Sequence, residues 1–324
     1  GAVLYCIGAA LAWAAQSLEL ALAARVLQGL GSAGPRVVSL AIIRDLNSGR
    51  QMARIVSLVM LIFTLAPAFA PSIGAVLIGF SGWRSIFLAF IVFSVLSALW
   101  LKLRVPETLP PEKRQPLQLR VLWSAVREVS THRLVAMSIA AQTFSFGCLF
   151  AVLSSIQPVF EITFGRGDQF HLWFMLTAAI ASGASILNAR VVVRLGMRRM
   201  VRSALIMEIL VSGVFVIGMI VGWPEALYFP ACFLWLTSVF FMAGLTIGNL
   251  NAIALEPMGH IAGTATSVIG SISTVGSVLL AIPVALSFNG TPLPLAACVF
   301  VFSAIGYGVI LNLGTRGEHG DEFA

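Results

Sequence analysis

Charge is the scarcest property of this chain. Lys, Arg, Asp and Glu make up 10% of its 324 residues, while hydrophobic residues make up 59%. Soluble domains carry about 25% charged residues, so the composition excludes a water-facing globule, a nucleic-acid-binding domain and a disordered segment. Cysteine is also sparse: Cys6, Cys148, Cys232 and Cys298 lie among apolar neighbours with no CxxC pair. That spacing argues against a zinc site or a disulfide framework. The four histidines, His132, His171, His260 and His319, are widely separated. HExxH, GxSxG and Walker sequences and carboxylate clusters are all missing, so no catalytic group, cofactor or metal is expected. The first apolar run starts at Gly1 without a basic n-region and leads into further apolar segments, which does not fit a signal peptide.

What is present is a series of long apolar runs. A bilayer core of about 30 Å takes about 20 apolar residues per helix and forbids irregular backbone against lipid. Four such segments cover 1–18, 20–43, 55–80 and 85–101, and four more cover 134–160, 169–189, 203–222 and 227–255. The uncharged stretch 257–315 is too long for one span. Asn289-Gly290-Thr291-Pro292 divides it in two, because Asn-Gly followed by Pro is a strong turn signal. The fold class is therefore an all-α polytopic membrane protein with ten spans. Its expected organisation is a four-span bundle over 1–103, a polar cytoplasmic linker over 104–132, a six-helix bundle over 133–313 and a tail over 314–324. The linker contains Pro106, Pro110, Pro111 and Pro116, and residues 117–129 within it can form an amphipathic surface helix.

The basic residues sort by side when the loops are numbered alternately. One side holds Arg44, Arg50 and Arg54, then Lys102, Arg104, Lys113, Arg114, Arg120, Arg127 and Arg133. It also holds Arg190, Arg194, Arg198, Arg199, Arg202 and Arg316, which brings it to sixteen of the twenty basic residues. Only Arg84 and Arg166 fall on the other side, and Arg25 and Arg36 lie inside the second span. By the positive-inside rule the crowded side is cytoplasmic, with both ends of the chain and the linker. The net charge of +7 thus reads as membrane anchoring.

Ionisable groups at bilayer depth are expensive and usually face a cavity, a partner or a pathway. Arg25, Gln28 and Gly29 are three and four residues apart and share a helical face. Arg25 either faces a polar cavity, holding a carboxylate or setting its proton affinity, or snorkels to the outer interface. The same choice applies to Arg36 near the inner end. Gly29 to Gly34 spell G-x-G-x-x-G, but no strand precedes them, so close helix contact is expected in place of nucleotide binding. Pro67 and Pro71, followed by Gly74 and Gly79, predict a bent third span, which is either a gating element or a fixed kink. Glu208 is the one carboxylate well inside a span. It is either a proton-coupling group or a side chain reaching the inner interface near Arg202. Gln142, Gln157, Asn249 and Asn251 add hydrogen-bonding capacity to the second half. Phe144, Phe146, Phe150 and Phe160 near the glutamines either suit a weakly polar ligand or face lipid. Gly263, Ser267 and Ser271 form a small, polar stripe for packing or cavity lining.

Several segments carry a family pattern. They are Arg25-Val26-Leu27-Gln28-Gly29-Leu30-Gly31, Ala41-Ile42-Ile43-Arg44-Asp45-Leu46, Ala66-Pro67 with Ala70-Pro71-Ser72-Ile73-Gly74, Gly82-Trp83-Arg84-Ser85-Ile86-Phe87, and Gly263-Thr264-Ala265. In these the chain resembles the major facilitator superfamily, in particular the bacterial proton-driven drug exporters of the Bcr/CflA type. That family has twelve helices in two six-helix bundles joined by a cytoplasmic loop. The ten spans match its helices three to twelve, so the N-terminal bundle is expected to be incomplete. The first two helices are then missing, and with them the first-helix carboxylate that takes part in proton coupling in many relatives. The chain is expected to be either a fragment of a complete transporter, which its non-Met start favours, or a truncated product that cannot complete the cycle. Residues 188–199 keep Arg194, Gly196, Arg198 and Arg199 of the family's cytoplasmic loop motif, with Val193 where an Asp is typical.

The resemblance implies a monomeric secondary transporter of the bacterial inner membrane that exports small amphipathic drugs in exchange for protons. Its halves would rock around a central cavity. Arg25 would support coupling, and the Pro67/Pro71 helix would limit leak. A facilitator for a sugar or amino-acid derivative would share the fold and topology. A membrane-embedded enzyme would need nucleophile, base or metal ligands at one depth, which the chain does not offer. A non-transporting scaffold fits only if the first two helices are missing in the cell.

Overall fold

An apolar segment in lipid must satisfy its backbone internally, and a helix does this without a partner strand. The computed structural model describes residues 1–47, 49–107 and 119–312, and their regular structure is helical, with no strand among them. The first half contains α1 (Ala2–Ala14), α2 (Leu18–Leu46), α3 (Gly49–Ser81) and α4 (Ser85–Arg104). The second contains α5 (Leu119–Thr131), α6 (Arg133–Pro158), α7 (Phe170–Leu195), α8 (Met197–Val221), α9 (Glu225–Leu255), α10 (Ala262–Leu286) and α11 (Leu293–Leu311). A π-helical turn at Val159–Thr163 extends α6, and a 3-10 turn at Glu256–Ile261 leads from α9 into α10.

Among the described residues, six stretches are long and apolar enough to cross a bilayer. They are Ser85–Arg104, Arg133–Thr163, Gly167–Leu195, Met197–Val221, Glu225–Leu286, which contains both α9 and α10, and Leu293–Leu311. Shorter apolar stretches cover Ala2–Ala14 and Phe69–Ser81. The turn between α10 and α11 is built by Asn289, whose Oδ1 accepts from the Thr291 amide and hydroxyl, and by Gly290 at φ +86°. That left-handed backbone favours glycine.

The chain divides into two units, Gly1–Leu117 and Gln118–Ala324. In the first, α1 packs on α2 and α4. In the second, α6 packs against α9, α10 and α11, and α8 packs against α9 and α11. α8 shows how lipid inverts the usual pattern. Glu208, Ser212 and Phe215 are buried, while Leu210, Val214, Ile217 and Val221 are exposed. The polar groups go inside because only there do they find partners.

α5 belongs to the second unit. Val126 and Val129 pack into a cluster with Val135, Ile139, Met258 and Ile269. A contact between Glu128 Oε1 and His260 Nε2 at 2.7 Å ties α5 to the turn before α10. The amphipathic helix anticipated in the linker therefore packs Val126 and Val129 on protein, while Trp123 stays exposed.

Candidate functional site

Ser17 opens α2 by accepting a hydrogen bond from the Leu20 amide at 3.3 Å, the usual role of an N-cap serine. Two turns further on, the Arg25 guanidinium donates to Gln28 Oε1 at 2.6 Å. A charge-assisted bond of this length restrains both side chains. Arg25 is exposed and Gln28 is 2% exposed, with its Nε2 buried and unpartnered among the described residues. The pairing of these two residues follows from their i, i+3 spacing.

Gly29 does not share that environment. It is exposed, and a Cβ there would meet nothing within 4 Å, as at Gly34. The close approach falls on Gly31 and Gly8. A Cβ at Gly31 would sit 2.4 Å from the Tyr5 amide nitrogen, and one at Gly8 would sit 2.6 Å from that of Gln28. Gly31 follows Gln28 by three residues and so lies on the side toward α1, whereas Gly29 is turned about 100° away.

α3 is helical through both Pro67 and Pro71. Pro71 and Gly74 are half-buried, and a Cβ at Gly74 would meet nothing within 4 Å. The helix ends at Gly82, at φ +72°, whose amide bonds the Ile78 carbonyl at 2.8 Å. The next residues tie helix ends together. Arg84 donates from Nε to the Trp13 carbonyl at 3.1 Å and from a terminal nitrogen to the Ala15 carbonyl at 2.9 Å. Its guanidinium also lies 4.4 Å from the Trp83 ring centroid. Arg84 thus supplies a cation to the carbonyl end of α1, where the helix dipole is negative. Ser85 Oγ donates to the Leu77 and Gly82 carbonyls at 2.8 and 2.6 Å. Sequence reasoning placed Arg84 in a loop on the side opposite the basic cluster and missed this capping role, because its acceptors lie about seventy residues away.

In the second unit, Asn249 on α9 donates from Nδ2 to Asn188 Oδ1 on α7 at 2.7 Å and to the Leu245 carbonyl at 2.8 Å. Gln142 on α6 is 3% exposed, with Oε1 unpartnered among the described residues. Ser138 and Ser145 share its helical face, and each is fully buried with a hydroxyl unpartnered among the described residues. Glu208 is fully buried and accepts from Ser212 Oγ at 2.7 Å. It does not reach toward Arg202, six residues earlier and on another face of α8, and no ion pair joins them.

The Gly263–Ser267–Ser271 stripe is exposed. Ser267 Oγ donates to the Gly263 carbonyl at 3.2 Å, and a Cβ at Gly263 would meet nothing within 4 Å. Within its unit, α10 makes its close contact elsewhere: a Cβ at Gly276 would lie 2.8 Å from Thr143 Cγ2 of α6. The loop residues Asp45 and Arg194 are exposed. Gly196, at φ +79°, separates α7 from α8, and Arg198 and Arg199 occupy the first turn of α8. The side chains of Arg36, Arg44 and Pro67 lie outside the described residues.

Sequence reasoning also missed an aromatic cluster around Arg166. Phe164 and Trp173 pack on Phe229, and Tyr228 packs on Phe164, at centroid distances of 4.8–5.1 Å. The Arg166 guanidinium lies 3.9 Å above the Phe229 ring. Arg166 had registered only as a loop charge, although a guanidinium over an aromatic face is an attractive contact.

Long helices with polar side chains turned inward and apolar ones outward define a multi-pass membrane protein. The chain belongs to the Major Facilitator Superfamily, whose family model matches residues 1–281; its members are transporters of small substrates, not enzymes. The chain is 33% identical over 310 residues to a bicyclomycin resistance protein homolog of Haemophilus influenzae, covering 91% of this chain and 75% of that protein. It is 29% identical over 293 residues to an uncharacterized MFS-type transporter, YdgK, of Bacillus subtilis, covering 88% and 70% of the two chains. Identity to the multidrug transporter MdfA of Yersinia pestis is 25% over 262 residues, covering 79% and 62%.

Proposed function

We propose that this transporter exports small amphipathic, drug-like compounds across the bacterial inner membrane in exchange for protons, as a monomeric unit. The observation that carries this reading is the similarity, along 91% of the chain, to a relative named for bicyclomycin resistance. The sparse polar groups support it, since Gln142, Asn249 and Gln28 are few and set among apolar residues, a balance that suits weakly polar ligands. The organisation as a bundle over 1–103, a linker over 104–132, a bundle over 133–313 and a tail over 314–324 belongs to the same reading. So does the placement of both chain ends in the cytoplasm, which rests on the asymmetry of basic residues.

Within this reading Arg25 and Gln28 form a coupling pair, with Arg36 further along the same helix. Pro67, Pro71 and Gly74 shape a gating helix, and Gly29, Gly263 and Ser267 offer small surfaces to partners met during the cycle. Arg44, Asp45, Arg194, Gly196, Arg198 and Arg199 act at the cytoplasmic loops.

Expression in a drug-hypersensitive bacterium tests the function. Resistance to amphipathic compounds should rise, and a protonophore should abolish the gain. Uptake of a sugar or amino acid with no resistance would replace the export reading. Arg25→Lys should impair proton-driven export more than drug binding, because Lys keeps the charge but loses the planar donor geometry. Equal loss of both would assign Arg25 to folding or to direct ligand contact. Cysteine-accessibility labelling should place Gln115 in the cytoplasm and Thr291 outside, and labelling of both from one side would sink the topology.

A further inference from the structure

Glu208 sits in the core of the second unit with no accessible surface. Two donors act on it in series. Trp235 Nε1–H of α9 bonds Ser212 Oγ at 2.9 Å, and the Ser212 hydroxyl bonds Glu208 Oε1 at 2.7 Å. Glu208 Oε2 is buried and accepts no hydrogen bond of good geometry among the described residues. The chain of bonds therefore has a direction: it delivers a neutral donor to Oε1, while the Ser238 hydroxyl of α9 is a further neutral hydrogen-bonding group beside the carboxyl.

Among the described residues, the surroundings bring no compensating cation. The titratable side chains on the helices around α8 are Tyr228 and Cys232 of α9, Cys298 and Tyr307 of α11, and Cys148 of α6. α9 carries Glu225 in its first turn, and α6 begins with Arg133. α7 has His171 at its start and Arg190 and Arg194 near its end. On α8 itself, Arg198, Arg199 and Arg202 precede Glu208 by six or more residues, about 9 Å or more of helix rise. No ion pair to Glu208 forms among the described residues. A carboxylate with only neutral donors and no counter-ion is strongly disfavoured in a membrane interior. A neutral carboxyl keeps Oε1 as the acceptor and carries its proton on Oε2.

We propose that Glu208 is a proton-binding site built into the second unit, filled in this conformation and emptied when water reaches Oε2 along the α8–α9 seam. The site rests on the export reading for its purpose, since it gives the second half a protonatable group of its own. Its occupancy depends only on the local geometry. Release of the proton would leave an anion that draws the Ser212 donor closer and favours hydration of the seam, so the site links proton occupancy to the packing of α8 on α9.

Infrared difference spectra of the full chain in liposomes, recorded between neutral and alkaline pH, read the proton directly. The wild type should show a carboxylic-acid carbonyl band at neutral pH that gives way to carboxylate bands at alkaline pH. Glu208→Gln should lack that band. Ser212→Ala should keep it but shift it toward the frequency of an unbonded carbonyl, and this variant reports even if Glu208→Gln fails to insert. A missing band at neutral pH, a band that survives the alkaline step, or one unmoved in both variants would overturn the proposal. Loss of drug export with the band intact would count against the export reading alone.

Discussion

Between α1 and α2 the contact is made by backbone. Gly8 and Gly31 leave no room for a Cβ, and the buried residues nearby are Ala9, Ala12, Ala15 and Ala24, all small, and Gln28. Between α8 and α9 it is made by large side chains. Phe215 stacks on Trp235 with centroids 4.9 Å apart and planes 6° from parallel, and both side chains are buried. Lipid is as apolar as leucine, so burial of apolar surface drives neither pairing. The first pair gains dispersion contact by bringing two helices very close. The second gains it by interlocking rings, and it adds the Trp235–Ser212–Glu208 chain that sets the register of the two helices. The first pair should therefore be sensitive to added volume and the second to removed volume.

The largest effect is expected at Trp235. Trp235→Ala removes the stack and the donor to Ser212, and should destabilise the protein by about 3 kcal/mol. That lies at the low end of the range for aromatic truncation in soluble cores, because the term for transfer from water is missing. Thermal unfolding in detergent measures it, and a loss below that of Gly31→Val would reverse the comparison. Gly31→Val should cost about 2 kcal/mol, since the obstacle is the Tyr5 backbone, which cannot turn aside as a side chain can. The same measurement on Gly29→Val should show a change within about 0.5 kcal/mol. Equal damage at the two glycines would mean that α1 does not pack where the structure has it.

Arg84 sharpens the comparison from another side, because it stabilises the first unit through helix ends. Arg84→Gln should cost about 1–2 kcal/mol by removing charge-assisted bonds to the Trp13 and Ala15 carbonyls. The loss should appear as faster amide exchange at the end of α1 while α8 and α9 are unaffected. Uniform exchange along the chain would assign Arg84 to the membrane interface alone.

Much of this architecture was legible in advance. Length and apolarity marked the helices, since lipid leaves helix as the one solution for a lone apolar segment. Asn289, Gly290 and Pro292 marked the turn that separates α10 from α11, since turn chemistry is local. The i, i+3 spacing made Arg25 and Gln28 neighbours on α2, whichever helices surround it. Facing was another matter. A helix that is apolar almost all round has no hydrophobic stripe to point at its partner, so Gly29 and Gly31 were equivalent candidates until α1 was in place. Gly263 and Ser267 likewise read as a contact stripe, although Gly276 makes the close approach to α6.

The sequence by itself determined the membrane class, the order of the helices and the local pairings, because each depends on residues within a turn or two of one another. Only the tertiary structure decided that Arg84 closes α1, that Gly31 and Gly8 carry the α1–α2 contact, and that Trp235 reaches Glu208 through Ser212. Those facts depend on which helices become neighbours. In lipid that choice is made by fit between surfaces and by the few polar groups that must find partners, and neither leaves a periodic trace along the chain.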